Sequence, residues 1–252
     1  EASFESFLKW GLENYNADQM GVVISGHGAG IGGCAPDSNS YSDYLTISEI
    51  VEASSNALEN SNKDKLDWIG FDCCMMQCAD IASVMSDYFN FMVGSQESEF
   101  GQGWDHDSYL GKLALNTKIS PQDLLPEIAS SYVSTFESSL CTRNSPCFQT
   151  SSVLDLSKMP TLIDEFNSFV SNTGTDAISY LKYQSAFKSS LNKFGEEEYG
   201  LVDFKDFISK LSSEFSGISN TALLNALNDV VISNSHCSKY IIAPCGLNAF
   251  LP

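Results

Sequence analysis

Three short apolar runs constrain the fold of this chain more than any other feature: GVVIS at 21–25, LDWIGF at 66–71 and FMVGS at 91–95. Each has the length and composition of a strand buried on both faces. The segments between them are helical in pattern. Thr46 and Glu49 form a capping box ahead of Ile50, Val51, Ala57 and Leu58, which predicts a helix over 46–60. Met75, Ala79, Ala82 and Met85 share one face of a second helix predicted over 75–88. Strand, helix, strand, helix, strand is the order that yields a parallel sheet with right-handed crossovers, so the expected class is α/β. An inner strand as early as 21–25 implies more strands upstream, and the chain is expected to lack that N-terminal portion.

The second half reads as mostly helical, with candidates near 107–115, 121–138, 159–171, 175–193, 203–214 and 221–234, and short strands at 150–156 and 246–251. No internal repeat and no low-complexity linker interrupts it. The expectation is one domain over 1–252, with a catalytic core at 1–118 and a helical part at 119–252 packed on it.

The chain of 252 residues carries 13 Lys and Arg against 32 Asp and Glu, a net charge of −19 with neutral histidines. That balance argues against a nucleic-acid partner and against an anionic membrane surface. It suits a basic substrate or a calcium-rich, secreted setting, and it also serves solubility alone. No apolar run is long enough to span a bilayer. The first residue is Glu1, as in a mature or trimmed form.

The eight cysteines fall into two groups. Cys141 with Cys147 and Cys237 with Cys245 close short polar loops, as disulfides in an oxidising compartment do; the alternative is four free buried thiols in a cytosolic protein. Cys34, Cys73, Cys74 and Cys78 surround the end of the second strand, where Asp72 stands beside the adjacent thiols.

Reactive groups of a parallel α/β sheet collect at the carboxyl ends of its strands. The first strand ends SGHGAG, with His27 just past Ser25, and the second ends DCC, with Asp72, Cys73 and Cys74. If the strands are neighbours, the imidazole reaches the thiols. Cys74 would sit at the mouth of the helix starting near Met75, where amides and a nearby imidazolium favour a thiolate able to attack a peptide carbonyl. The N–H groups of Cys74 and Gly28 would hold the resulting oxyanion.

Blander readings stand beside this one. A lone histidine at a strand end is more often a core or surface residue. A zinc site from His27, Cys73, Cys74 and Cys78 has suitable ligand types, but adjacent cysteines seldom both bind one zinc and no second Cys-x-x-Cys pair exists. GHGAGIGG lacks the following helix and the basic residue of a phosphate loop. His106 and His236 lie in polar stretches and read as surface residues, while Trp68 and Trp104 read as core or pocket wall.

Six segments in order resemble the clostripain family of cysteine peptidases, of the same clan as caspases, legumains and gingipains. LKWGLENYNADQMGVVISGHGAG is similar to its helix, strand and His-Gly run, and YLTISEI to the helix after it. WIGFDCCMMQCADIASVMSDYFNFMVGSQESEFGQGWDHDSYL matches its Asp-x-Cys block, Ser-Gln-Glu strand end and Gly-x-Gly-Trp segment. SSVLDLSKM, GLVDFKDFI and the terminal GLNAFLP resemble the later landmarks.

The resemblance implies a caspase-like, parallel-dominated sheet flanked by helices, and cleavage of peptides after Arg or Lys. It implies His27 as catalytic histidine, Cys74 as nucleophile, and Asp72 as the acid at the base of the primary specificity pocket. Ser95, Gln96 and Glu97 would line the same cleft. Cys73 takes the place of a small residue in the pattern. No cofactor is required, although family members can depend on calcium; no compact loop of alternating acids is visible here. The expected partners are peptides with basic residues and a separate N-terminal fragment of the same precursor. The setting is secreted, periplasmic or cell-surface.

Three departures stand out. The upstream strands are absent. Positions 28–62 hold no Lys or Arg at which the chain could cleave itself after the histidine, the first basic residue there being Lys63. Cys34, Cys73 and Cys78 are extra thiols, and oxidation at Cys73 or Cys74 would silence the enzyme. The alternative is a catalytically silent domain of the same fold with a structural or adhesion role; retention of His27, Asp72 and Cys74 favours the enzyme.

Overall fold

The computed structural model describes residues 2–41, 43–59, 61–139, 147–195, 199–215, 217–238, 240 and 242–251. Helix α1 (Ala2–Asn14) leads into β1 (Gly21–Ser25), and the antiparallel pair β2 (Cys34–Asp37) and β3 (Asp43–Leu45) precedes α2 (Ile47–Leu58). Then come β4 (Leu66–Asp72), α3 (Ala79–Met85), β5 (Phe89–Gly94), α4 (His106–Leu115) and α5 (Pro121–Ser139). The second half continues with β6 (Thr150–Asp155), α6 (Met159–Thr173), α7 (Ala177–Ser189), β7 (Lys193–Phe194), β8 (Leu201–Asp203), α8 (Phe204–Glu214), α9 (Thr221–Val230), β9 (Val231–His236) and β10 (Asn248–Phe250).

The main sheet has five strands in the order β1-β4-β5-β6-β9. The first three are parallel, as the strand and helix alternation predicts, and β6 and β9 are each antiparallel to the strand before them in that order. A smaller antiparallel sheet, β10-β8-β7, is built from the second half.

Period-two alternation sends β-strand side chains to opposite faces. Ile24, Ile69, Phe71 and Met92 join α2, α3, α6 and α9 on one side of the sheet. Phe91, Val93 and Val153 meet Trp104, Tyr109, Leu125, Ile128 and Tyr132 of the α4–α5 region on the other. The sheet is thus a middle layer between helices, which explains why its strands read as near-continuous apolar runs.

The predicted capping box is present. Thr46 accepts from Glu49 N, and Glu49 bonds back to Thr46 N, fixing the start of α2.

Other expectations are corrected. The helix predicted over 75–88 is confined to Ala79–Met85, with Cys78 at its N-cap. Met75 N instead donates to Glu97 O (3.2 Å) and Gln77 N to Ser95 O (3.0 Å), and Met75 has φ +61°. The backbone after Cys74 therefore spends its N–H groups on the segment after β5. A helix terminus next to Cys74 does not exist, and the support a helix dipole would lend that thiol falls away.

The helix expected over 221–234 ends at Val230, and β9 takes its last residues; the alternating exposure along VISNSH marks an edge strand with one face packed. The loop after His27 contains the β2–β3 pair. The Cys237–Cys245 bridge is not formed: Cys245 is a free thiol whose Sγ donates to Leu247 O. Cys141 lies outside the described residues, and with it the expected Cys141–Cys147 bridge. No described helix is long and apolar enough to cross a membrane.

Candidate active site

Strands β1 and β4 lie side by side with Ser25 opposite Asp72, and Gly26 N donates to Asp72 O (3.1 Å) just beyond them. His27 and Cys74 each stand two residues past that paired level, so both leave the sheet at one edge. They line a common cleft of about 260 Å³ with Ser25, Asp72, Glu99, Phe100 and Gly103. His27 is exposed and Cys74 half-buried.

The β2–β3 pair explains how a glycine-rich loop presents His27 in one place. Ala35 N donates to His27 O (2.8 Å), Ala29 N to Gly33 O (2.9 Å), and Gly28 pairs with Cys34 across an isolated bridge. Gly28 also touches the other loop: a Cβ there would fall 2.3 Å from Cys74 O and 2.9 Å from Cys74 N. Only glycine permits that approach. Among the described residues neither Gly28 N nor Cys74 N has an acceptor, so both N–H groups remain available beside the thiol.

Cys74 Sγ accepts a hydrogen bond from Glu99 N (3.2 Å). An N–H aimed at sulfur stabilises negative charge there. Its neighbour Cys73 is fully buried, donates to Ile24 O (3.4 Å) and contacts Cys34; that contact and burial push its pKa up. Cys73 is core. Cys78 is buried as well, and burial raises it too, with its Sγ turned to Met75 O.

The floor of the cleft is acidic. Asp72 is 4% exposed and accepts from Ser25 Oγ and Trp104 N, each at 3.1 Å. Gly103, at φ +67°, folds over it; a Cβ there would lie 2.7 Å from Asp72 Oδ2. Glu99 stands beside Asp72, and sequence reasoning missed it. Burial first, then the charge of Asp72 and a hydrogen bond with it, raise Glu99 well above the usual carboxylate range. Glu99 Oε1 accepts from Trp104 Nε1 (3.4 Å), while Oε2 is sealed from solvent and, among the described residues, Asp72 is the group placed to share a proton with this carboxyl. Protonated, Glu99 becomes the donor between the two acids. No local signal in SQESEF separates it from Glu97, which turns elsewhere.

Of the three residues expected to line the cleft, Ser95 and Gln96 do not. Both are buried. Ser95 Oγ bonds Thr150 Oγ1 (3.0 Å), and Gln96 spans Asp203, Asn248 and Gly246 N. They brace the turn after Cys74 from beneath, through Gln77 N to Ser95 O. Glu97 turns the other way, accepting from Ser98 N and Gly195 N. Trp104 is core: its ring is buried and lies on Gly70, where a Cβ would come within 2.8 Å of it. Among the described residues no three His, Cys, Asp or Glu side chains gather as a metal site.

A mostly parallel, helix-flanked sheet that brings an imidazole and a thiol to one cleft is a caspase-like fold. The chain belongs to the clostripain family of cysteine peptidases, whose sequence model matches residues 1–243. Solved structures agree on the fold. An inactive zymogen C11 protease from Parabacteroides distasonis is 18% identical, with a TM-score of 0.70 over 100% of this chain and 69% of that one. A secreted C11 cysteine protease from Bacteroides thetaiotaomicron, in complex with an irreversible peptide inhibitor, is 16% identical, with a TM-score of 0.72 over 100% and 71%. A clostripain from the same species, in complex with a peptide inhibitor, is 18% identical, with a TM-score of 0.62 over 85% and 89%. No curated protein matches the chain.

Proposed function

We propose that this cysteine peptidase cleaves peptide bonds after Arg or Lys, with His27 and Cys74 as a dyad and Asp72 as the specificity acid. One observation carries the reading: the imidazole, the half-buried thiol and a buried carboxylate line one cleft. Asp72 and Glu99 together favour a cationic side chain there, because a desolvated acid gains much from a positive partner and nothing from an apolar one. A cation entering beside Asp72 also favours loss of the Glu99 proton.

The chemistry then runs in balanced steps. The Cys74 proton passes to His27, and the thiolate attacks the carbonyl carbon of the residue held by Asp72. The new oxyanion is met by Gly28 N–H and Cys74 N–H. His27 returns the proton to the leaving amine as the C–N bond breaks. Water, deprotonated by His27, then hydrolyses the thioester and restores the thiol.

Two further expectations belong to the same proposal. Strand β1 is an apolar edge, unpaired on its outer side among the described residues, beside a cleft of about 700 Å³ lined by Val23, Trp68, Leu113 and Ile119. An open apolar edge invites another strand, and an N-terminal fragment of the same precursor fits that place. Secretion is proposed because a similar Bacteroides thetaiotaomicron protease is described as secreted.

The test uses fluorogenic peptides ending in Arg, Lys or Leu, with wild type, Cys74→Ala and Asp72→Ala. Cys74→Ala should abolish turnover. Asp72→Ala should cut kcat/KM on basic peptides by at least roughly 30-fold, the loss of about 2 kcal/mol expected when one partner of a buried charge pair is removed. Full activity in Cys74→Ala overturns the dyad. An unchanged preference for Arg and Lys in Asp72→Ala overturns the pocket. No wild-type activity on any peptide, in the folded protein, supports the silent-domain alternative.

A further inference from the structure

The first turn of α4 places a second imidazole against the acid that the proposed reading assigns to substrate. His106 Nε2 lies 3.5 Å from Asp72 Oδ2, and His106 Nδ1 lies 2.6 Å from Tyr109 Oη. His106 reaches Asp72 from α4, separately from the residues that line the cleft with it. Asp72 is an acceptor to Ser25 Oγ and Trp104 N, so it faces the ring as an acceptor too. The nitrogen turned to it then carries the hydrogen, and Nδ1 of the neutral ring accepts from the Tyr109 hydroxyl.

We propose that His106 is a specificity-setting residue: its imidazolium competes with a basic substrate side chain for Asp72, so that the pocket holds cations weakly in mild acid and firmly at neutral pH. The inference rests on Asp72 being the cation site of the cleft.

The physical basis is simple. A neutral imidazole leaves the carboxylate its full negative charge. A protonated imidazole cancels that charge, and an arriving Arg or Lys then meets a near-neutral pair. Two unit charges about 6 Å apart repel by roughly 1–3 kcal/mol at effective dielectrics between 20 and 50. The ring is 47% exposed, so it exchanges protons with bulk solvent without unfolding.

Other charged groups around it are few. Asp72 comes from β4 with Glu99 beside it. On its own segment stand Asp105, which caps α4 and accepts from Ser108 N, and Asp107. From α5, Thr135 Oγ1 reaches Asp105, and Glu127 pairs with Lys112 of α4. Glu99 and the His27 imidazole, which lines the same cleft as Asp72, are the competitors as pH sensors. Burial of Glu99 beside Asp72 raises its pKa, and its ionisation would also strengthen cation binding as pH rises.

The experiment measures inhibition and direct calorimetric binding of benzamidine, a cation of fixed charge, from pH 5.5 to 7.5. Wild type, His106→Gln, Glu99→Gln and Asp72→Asn are compared, each checked for folding by circular dichroism. Wild type should bind at least about tenfold more tightly at pH 7.5 than at 5.5, in line with that repulsion. His106→Gln should reduce the ratio to below about threefold by keeping the acid-side affinity high, and Glu99→Gln should retain the wild-type ratio. A full pH dependence in His106→Gln, or its loss in Glu99→Gln, overturns the inference while leaving Asp72 as the cation site. Unchanged binding in Asp72→Asn removes the cation site itself, and with it both readings.

Discussion

Gly28 and Cys74 are in backbone contact: a methyl group on Gly28 would overlap the Cys74 carbonyl oxygen at 2.3 Å and press on its nitrogen at 2.9 Å. That contact locks the loop carrying His27 to the loop carrying the thiol. Neither partner is a flexible side chain, so an added Cβ must push the loops apart. Misplacement of reacting groups by about 1 Å costs on the order of 10²-fold in rate. Gly28→Ala should therefore lower kcat/KM by about two orders of magnitude while the chain stays folded. Steady-state kinetics with a basic peptide, alongside circular dichroism, check this; retention of most of the activity contradicts it.

Glu99 makes stability depend on pH. Its folded pKa is raised by burial and by Asp72, so ionisation is resisted in the folded chain and permitted in the unfolded one. Stability from this group is intact below the ordinary carboxylate pKa and falls as pH rises through the raised folded value. Glu99→Gln cannot ionise. It should melt above wild type at pH 8, with the gap shrinking toward pH 4. Thermal melts across that range check the slope, and a gap that widens in acid contradicts it.

Asp203 ties the small sheet to the active-site turn. Its carboxylate accepts from Asp206 N at the start of α8 (3.0 Å), from Cys245 N (2.6 Å) and from Gln96 Nε2 (3.2 Å). Asp203→Ala removes an N-cap and strands buried donors, a loss of about 2–4 kcal/mol. Urea titration should show that destabilisation, and Asn at the same site should cost less because it keeps one acceptor oxygen.

The thiols should separate by burial. Cys34, Cys73 and Cys78 are free and buried, whereas Cys74 is half-buried in an open cleft. Iodoacetamide on native protein should modify Cys74 first, with those three reacting only after denaturant is added. Peptide mapping by mass spectrometry reads the order. Early labelling of Cys73 contradicts the placement of that residue in the core.

Much of this arrangement was legible before any coordinates. The runs at 21–25, 66–71 and 91–95 each give one strand of the sheet, because burial on both faces leaves an unbroken apolar signature. The pairing of β1 with β4 brings His27 and Cys74 to one edge, as strand ends in α/β folds do.

What was not legible depended on tertiary hydrogen bonds. Residues 75–78 have helical periodicity, yet the N–H groups of Met75 and Gln77 go to Glu97 and Ser95, which no local pattern reveals. Ser95 and Gln96 are polar residues that look like cleft lining, but they satisfy a buried network with Thr150, Asp203 and Asn248. Glu99 was hidden because its importance lies in its distance from Asp72, not in its sequence context. The strand at 231–236 follows α9 without a break, so periodicity carried the helix too far.

The most direct measurement is covalent mapping with peptidyl electrophiles. Wild type and Asp72→Ala are treated with matched peptides ending in Lys or Leu and an acyloxymethyl ketone, and labelled sites are located by intact mass and peptide sequencing. The result predicted is a single adduct on Cys74, formed faster with the Lys peptide in wild type and without that advantage in Asp72→Ala. An adduct on any other cysteine, or equal rates for both peptides in wild type, contradicts a thiol nucleophile working beside an acidic pocket.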